Sequence, residues 1–441
     1  MNRNRWAILA VVLFAAILDL LDSTITDIAA PTIAADLAGG PALTQWLGAS
    51  YALAMGVLLV VGGRLGDRYG RRRLFLVGIT GFTLASIACG LAFDPASIVV
   101  FRLLQGAFGA LLIPQGFGIL GAVFPRDEIG KAFGVFAPAL GLSAIGGPIL
   151  AGFLIDADLF GLGWRSMFLI NVLLGGAAIV LAVRLLPHDS GDRTVTIDGL
   201  GSLLLAGTMF GLLFGLISGY GWALAAGAAL FVLFCLRQRS AASPLIEPSL
   251  LRNRGFTSGL LLGLVFYAAV SGLLFVLSLY LQDVLRDSPT QAALGLTPIA
   301  VGIIVASIAA HRLIARLGRT LIVAGLGLTL AGTLGQLVLI QTSATWLLAL
   351  PVFVAGLGLG TCFGTIYQVT LGDIDQKESG SASGSLSAVQ QLANSLGAAA
   401  VTTIYFQSSG ALSLAVVAAA VLACLALVPL MPRKAAQEHA S

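Results

Sequence analysis

Charge is scarce in this 441-residue chain: Asp, Glu, Lys and Arg make up 10% of it, against 58% hydrophobic residues. Mean hydropathy is +0.99. A water-soluble protein of this length needs far more charge to cover its surface. The composition therefore excludes a soluble globule and implies an all-α polytopic membrane protein. Cysteine is almost absent. Cys89, Cys235, Cys362 and Cys424 stand singly in apolar runs with no CxxC spacing, which excludes a disulfide scaffold and reads as small apolar packing residues. The three histidines, His188, His311 and His439, fall at span ends or in loops, so neither a metal site nor an intramembrane histidine relay is expected. No GxxxxGK[ST] loop, HExxH or GxSxG occurs, and the GK at 130–131 lacks the residues required upstream. The chain is thus expected not to be an enzyme and to need no metal or cofactor. Lysine is rare beside arginine, 3 against 21, which suggests a GC-rich bacterial genome and a bacterial cytoplasmic membrane.

About 20 apolar residues are needed to cross a bilayer. On that basis the sequence predicts fourteen spans, at 6–30, 44–63, 73–92, 96–122, 132–155, 165–186, 197–217, 220–236, 256–281, 291–311, 320–340, 345–370, 383–406 and 411–431. The opening MNRNRW followed by apolar residues has the flanks of a signal peptide, but the next hundred residues stay apolar, so a retained first span is expected. With the N-terminus inside, 21 of the 24 Lys and Arg fall in cytoplasmic segments. The positive-inside rule then places both termini in the cytoplasm. It also accounts for the net charge of +4 without a nucleic-acid partner. GRLGDRYGRR (63–72) is echoed by HRLIARLGRT (311–320), an internal repeat. The expected organisation is a six-helix half at 1–190, two inserted helices at 191–237, a cytoplasmic amphipathic linker at 238–255 and a second six-helix half at 256–441. Repeated halves around a midplane site are an architecture of secondary transporters.

Charges inside spans are costly and mark functional sites. Helix 1 carries three, Asp19, Asp22 and Asp27, and the fourth span carries Arg102. Asp19 and Asp22 are three residues apart and share a helical face. Asp27 is rotated about 140° from Asp22. Counted from the centres of their spans, Asp22 and Arg102 lie about 5 Å and about 9 Å outward of the midplane, so they can meet. Burial disfavours a charged carboxylate and a neighbouring arginine favours it. Such a pair can load and release a proton, or serve as a structural ion pair; both readings stand at this stage. In GRLGDRYGRRR (63–73) the glycines allow a tight turn, and Asp67 can face a helix N-terminus or an arginine. GVFAPALGLSAIGGPILAG (134–152) in the fifth span has small residues for close helix packing and two prolines that can bend it.

Together these motifs resemble the fourteen-helix drug:proton antiporters of the major facilitator superfamily, over nearly the whole chain. LDSTITDIAAP (21–31) looks like that family's helix 1 motif, with Asp22 at the acidic position, Asp27 where the family usually has Asn, and Asp19 an extra acid. GRLGDRYGRRR is similar to the superfamily's motif after helix 2, which implies conformational gating by Gly63, Asp67, Arg68, Gly70 and Arg71. RLLQGAFGA (102–110) resembles the helix 4 motif whose arginine, here Arg102, is implicated in proton transfer. The helix 5 antiporter motif has Gly134, Gly147, Pro148 and Gly152 in place, with Ser143 and Ala151 in place of glycines. SPTQAALGLTP (288–298) and GSASGSLSAVQQLANSLG (380–397) also resemble family segments. Ala315 replaces the acid in the repeat loop.

The resemblance implies a major facilitator fold of two six-helix halves plus two inserted helices. It implies proton-coupled export of lipophilic small molecules or antibiotics by alternating access. The proton gradient would drive it, with protons, a lipophilic substrate and the bilayer as partners, and the protein working as a monomer. Asp22, Arg102, Asp19 and Asp27 would carry the coupling. By the superfamily's arrangement the substrate contacts would be Gln115, Tyr267, Phe363 and Tyr367, flanked by Gln45, Trp46, Gln390 and Asn394. Aromatics and amides suit lipophilic ligands. The alternative on the same fold is a proton-coupled exporter or importer of one specific metabolite. A membrane-embedded enzyme would need nucleophiles or metal ligands at one depth, and the sequence offers none.

Overall fold

Backbone in hydrocarbon must satisfy its own hydrogen bonds, so apolar runs of this length become helices. A computed structural model describes residues 5–124, 128, 143, 146–241, 244–342, 345–371, 374 and 379–431. Among these no strand occurs. The helices are α1 (Arg5–Asp36), α2 (Gly40–Tyr69), α3 (Arg71–Gly90), α4 (Pro95–Val123), α5 (Gly146–Asp156), α6 (Arg165–Leu185), α7 (Gly199–Ser218), α8 (Gly221–Ser240), the short α9 (Pro248–Arg252), α10 (Arg254–Leu279), α11 (Pro289–Leu317), α12 (Arg319–Gln341), α13 (Ala349–Leu371), α14 (Ser379–Gln407) and α15 (Gly410–Leu427). A π-turn extends α10 over Tyr280–Val284.

Twelve described helices are long and apolar enough to cross a membrane, not the expected fourteen. The two shortfalls have different reasons. α14 has 29 residues, but its serines, glutamines and Asn394 keep it out of the strongly apolar set. The expected span at 132–155 is described only at Ser143 and from Gly146 onward, where it forms α5. The expected linker at 238–255 begins as the last turn of α8 and contains α9.

The chain divides into two compact units. Unit 1 comprises Met1–Phe210, Ala229–Phe234 and Asp287–Ala293. In it α2 and α3 pack on α4, α3 on α6, and α1 on α2, α4 and α6. Unit 2 comprises Gly211–Ala228, Cys235–Arg286 and Leu294–Ser441. In it α10 packs on α13, α14 and α15, and α12 on α13 and α15. Four pairings thus recur: α3–α4, α3–α6, α1–α6 and α1–α4 reappear as α12–α13, α12–α15, α10–α15 and α10–α13. The buried faces repeat in register. Leu74, Phe75, Gly78, Ile79, Phe82, Ala85, Ser86 and Cys89 on α3 match the spacing of Leu321, Ile322, Gly325, Leu326, Thr329, Gly332, Thr333 and Gln336 on α12.

Close helix crossing follows from missing side chains. A Cβ on Gly62 would strike the backbone carbonyl of Ala110, and one on Gly106 that of Tyr51. α2 and α4 therefore meet backbone to backbone, the approach that small residues permit between membrane helices. α4 starts on a capping box: Asp94 Oδ1 accepts the N–H groups of Ala96 (2.8 Å) and Ser97 (3.0 Å), with Pro95 at the first helical position. This start fixes the rotation of α4 and, two turns on, the direction of Arg102.

Candidate functional site

Asp22 and Arg102 meet in unit 1, each 1% exposed. Arg102 Nη1 donates to Asp22 Oδ2 and also to Gln105 Oε1 at 2.9 Å. The other oxygen of Asp22, Oδ1, accepts from Gln105 Nε2 at 2.8 Å and from Asn171 Nδ2 at 2.7 Å. Asn171 Nδ2 also reaches Ser86 Oγ at 3.0 Å, and Ser86 Oγ donates to the Phe168 carbonyl at 3.0 Å. One turn before Asp22, Asp19 Oδ1 accepts the hydroxyl hydrogen of Tyr51. The Tyr51 ring lies under the Arg102 guanidinium, 4.5 Å from its centroid. Five helices, α1, α2, α3, α4 and α6, contribute to this one buried polar cluster.

Arithmetic on helical spacing explains the arrangement. Asp19 and Asp22 share a face of α1, and Arg102 and Gln105 share a face of α4. A Cβ at Gly109 would lie 2.7 Å from Tyr51 Oη and 2.9 Å from Asp19 Oδ1, so this glycine opens the space for the Asp19–Tyr51 contact. Asp27 is half-buried on another face of α1. Tyr51, Ser86, Gln105 and Asn171 were not singled out from the sequence. The signal was present in part: Gln105 stands three residues after Arg102, and Asn171 is the lone amide of an apolar span.

The gating motif is not a loop. Gly63 to Tyr69 remain within α2, and Gly70 alone separates α2 from α3, with φ +97° and ψ 130°. A residue with a side chain is strained there. Gly318 does the same between α11 and α12, with φ +50°. Asp67 pairs with Arg71 (3.0 Å), and Arg71 Nη1 donates to the Gly118 carbonyl of α4 (2.6 Å). Arg68 Nη1 donates to the Val195 carbonyl at 2.8 Å. The segment after α6 covers this end of the unit. Asp189 accepts the N–H groups of Arg71 and Arg72, capping α3 from outside the helix. Asp192 N donates to the Asp67 carbonyl at 2.7 Å. Thr194 donates its hydroxyl and backbone N–H to Asp192, which holds that carboxyl below its ordinary range.

On α5, Gly147 sits against Leu21 and Thr24 of α1, and Gly152 against Thr290. Pro148 lies beside Gly147 in the same helix. Gly134 lies outside the described residues. Gln115 commits its amide to the Gly62 carbonyl (2.7 Å), so it locks α2 to α4. Gln45 is buried on α2, and the Trp46 ring lies tilted against Phe210 with centroids 5.8 Å apart. In unit 2 the structure brings four expected contacts together. Tyr267 and Phe363 have ring centroids 5.7 Å apart, and Tyr367 Oη donates to Gln390 Oε1 at 3.0 Å and meets Ser387 Oγ at 2.9 Å. The Tyr267 hydroxyl is buried with no hydrogen-bond partner among the described residues. Asn394 is half-buried on α14, where its amide reaches Gln391 at 3.5 Å.

With this geometry in place, comparison with known proteins decides the family. A family model described as Major Facilitator Superfamily matches residues 12–398. The chain belongs to the major facilitator superfamily. It is 46% identical over 420 residues to a "Probable actinorhodin transporter" of Streptomyces coelicolor, covering 91% of this chain and 73% of that protein. It is 36% identical to the "Tetracenomycin C resistance and export protein" of Streptomyces glaucescens, covering 89% and 74%. It is 34% identical to the "Puromycin resistance protein pur8" of Streptomyces alboniger, covering 91% and 82%. Among solved structures, a D-xylose–proton symporter superposes with a TM-score of 0.69 at 15% identity, over 97% of this chain and 98% of that one. That likeness shows the superfamily fold. This superfamily member is a multi-pass membrane transporter.

Proposed function

We propose that this major facilitator protein is a drug:proton antiporter that exports lipophilic small molecules or antibiotics across the bacterial cytoplasmic membrane by alternating access. The observation that carries the proposal is the buried Asp19–Asp22–Arg102 cluster. Ionisable groups sealed inside a helical bundle cost several kcal/mol and persist where they serve transport or a proton relay. Here two acids and one base are held by amides from α4 and α6, in a chain whose relatives are named for antibiotic export and resistance. The proton gradient is the driving force, worth about 2.3 kcal/mol per charge per 100 mV, and no cofactor takes part. Fourteen spans with both termini cytoplasmic fit the distribution of Lys and Arg; α14 and the segment at 132–155 supply the two beyond the strongly apolar twelve. The unit at work is a monomer.

The test uses inverted membrane vesicles with an acidified interior followed by a pH-sensitive dye. Actinorhodin, tetracenomycin C and puromycin are added in turn to wild type and to Asp22→Asn. Drug-dependent loss of internal protons in wild type, absent in the variant, is the expected result. If no compound releases protons in wild type, drug antiport fails. The second reading, one specific metabolite as substrate, draws on the 27% identity to the "Riboflavin transporter RibZ" of Clostridioides difficile. Riboflavin therefore joins the panel.

A further inference from the structure

We infer that Asp19 holds the exchangeable proton, while Asp22 stays ionised as the fixed counter-ion of Arg102. The inference deepens the proton-coupled reading above and rests on it. It starts from charge. Asp19, Asp22 and Arg102 are buried together, so two carboxylates share one cation. An uncompensated charge in such a place costs several kcal/mol, and one proton closes the balance.

Hydrogen-bond directions decide which acid takes it. Among the described residues Asp22 meets donors only: Arg102 Nη1 on Oδ2, and Gln105 Nε2 and Asn171 Nδ2 on Oδ1. Asn171 Oδ1 is buried with no partner among the described residues, and turning it toward Asp22 would break the Nδ2 bond to Ser86 Oγ and require Ser86 to give up the Phe168 carbonyl. Gln105 keeps its Oε1 on Arg102 Nη1. Ser86 gives its own hydrogen to the Phe168 carbonyl, so its oxygen must accept from Asn171 Nδ2. A proton on Asp22 would thus be a donor facing donors. Asp19 is different. Its hydrogen bond comes from a hydroxyl, and Tyr51 can rotate that hydrogen away and accept instead. The Asp19 pocket suits both protonation states, and the Asp22 pocket suits one. The titratable and charged groups facing Asp19 are Asp22 on its own helix, Tyr51 from α2 and Arg102 from α4. Around the same cluster α3 adds Cys89 and Ser86, and α6 the neutral Asn171. α5 adds no titratable group among the described residues.

The measurement is infrared difference spectroscopy on the purified, reconstituted full chain, reading the stretch of a protonated buried carboxyl in H2O against D2O. Wild type at neutral pH is expected to show this band. Asp19→Asn should lose it and Tyr51→Phe should shift it, because the group bonded to Asp19 changes; Asp22→Asn, which leaves one acid to one cation, should lose it as well. Survival of the band in Asp19→Asn, an unmoved band in Tyr51→Phe, its loss in Asp27→Asn, or no band in wild type at any pH where the protein stays folded overturns the inference. Should Asp19→Asn fail to fold, Tyr51→Phe decides alone: an unmoved band refutes the assignment. The band does not depend on any drug. A band that follows Asp19 beside a silent vesicle assay would mean that the exporter reading failed and the proton site did not.

Discussion

Replacing Arg102 by Met removes the cation and keeps most of the side chain's length. Asp22 then remains fully buried with only the amides of Gln105 and Asn171 to hold its charge. Two unit charges about 4 Å apart at an effective dielectric of 20 attract by about 4 kcal/mol. Breaking a buried pair from one side typically costs about 3–5 kcal/mol. A domain the size of unit 1 loses about 2–4 °C of melting temperature per kcal/mol, so a drop of roughly 6–20 °C is expected. Asp22→Leu should cost less, because Asp19 can give up its proton and partly compensate the guanidinium. The double variant, Arg102→Met with Asp22→Leu, leaves no ion behind and should recover to near wild-type stability, as buried pairs replaced by apolar residues commonly do. The recovery also requires that Asp19 carry a proton, since an ionised Asp19 would remain unpaired. The assay is the apparent melting temperature of the detergent-purified protein at fixed scan rate, because unfolding of such proteins is seldom reversible. A double variant that melts at or below the worse single variant would refute the view of the cluster as a closed electrostatic unit.

Three further outcomes are expected. Gly106→Ala places a methyl group against the Tyr51 carbonyl, a backbone atom that cannot step aside, and should destabilise unit 1 by about 1–3 kcal/mol, read as a lower melting temperature. Asp189→Ala removes the cap on the Arg71 and Arg72 N–H groups and should cost about 1 kcal/mol, with faster proteolytic cleavage between residues 187 and 198. Thr194→Val removes the hydroxyl that lowers Asp192, so that carboxyl should titrate at a higher pH in a carbon-13 NMR titration. The sign follows from linkage. A carboxyl lowered in the folded state stabilises above its ordinary range and loses that contribution as pH falls through its folded value.

The helices were legible because hydrocarbon leaves the backbone no other choice. The acids of α1 and the arginine of α4 were legible because a charge in an apolar run has no bland explanation. The count of fourteen overshot what the described helices meet, since α14 is long but rich in serine and amide side chains. The motif at 63–73 was visible, yet its shape was not. It is helix on both sides of Gly70, and its arginines spend their donors on the carbonyls of Val183, Val195 and Gly118. Gln115, expected as a substrate contact, also binds the backbone of α2. No sequence rule foretold that, because the approach is opened by Gly66, where a Cβ would strike the Gln115 amide.

Composition, hydrophobic run length, the scatter of Lys and Arg and the repeated loop motif were enough to determine the class of protein, the helical architecture and the residues worth suspecting. These are one-dimensional properties, imposed by the bilayer on every chain that crosses it. Only the tertiary structure decided which suspects meet. Asn171 lies 149 residues from Asp22 and Gln105 lies 83 away, and their convergence depends on helix rotation and crossing angle set by glycine contacts and caps. The same is true of the division of labour between Asp19 and Asp22. In sequence they are two aspartates one turn apart. In the fold one is pinned by three donors and the other faces a hydroxyl that can turn.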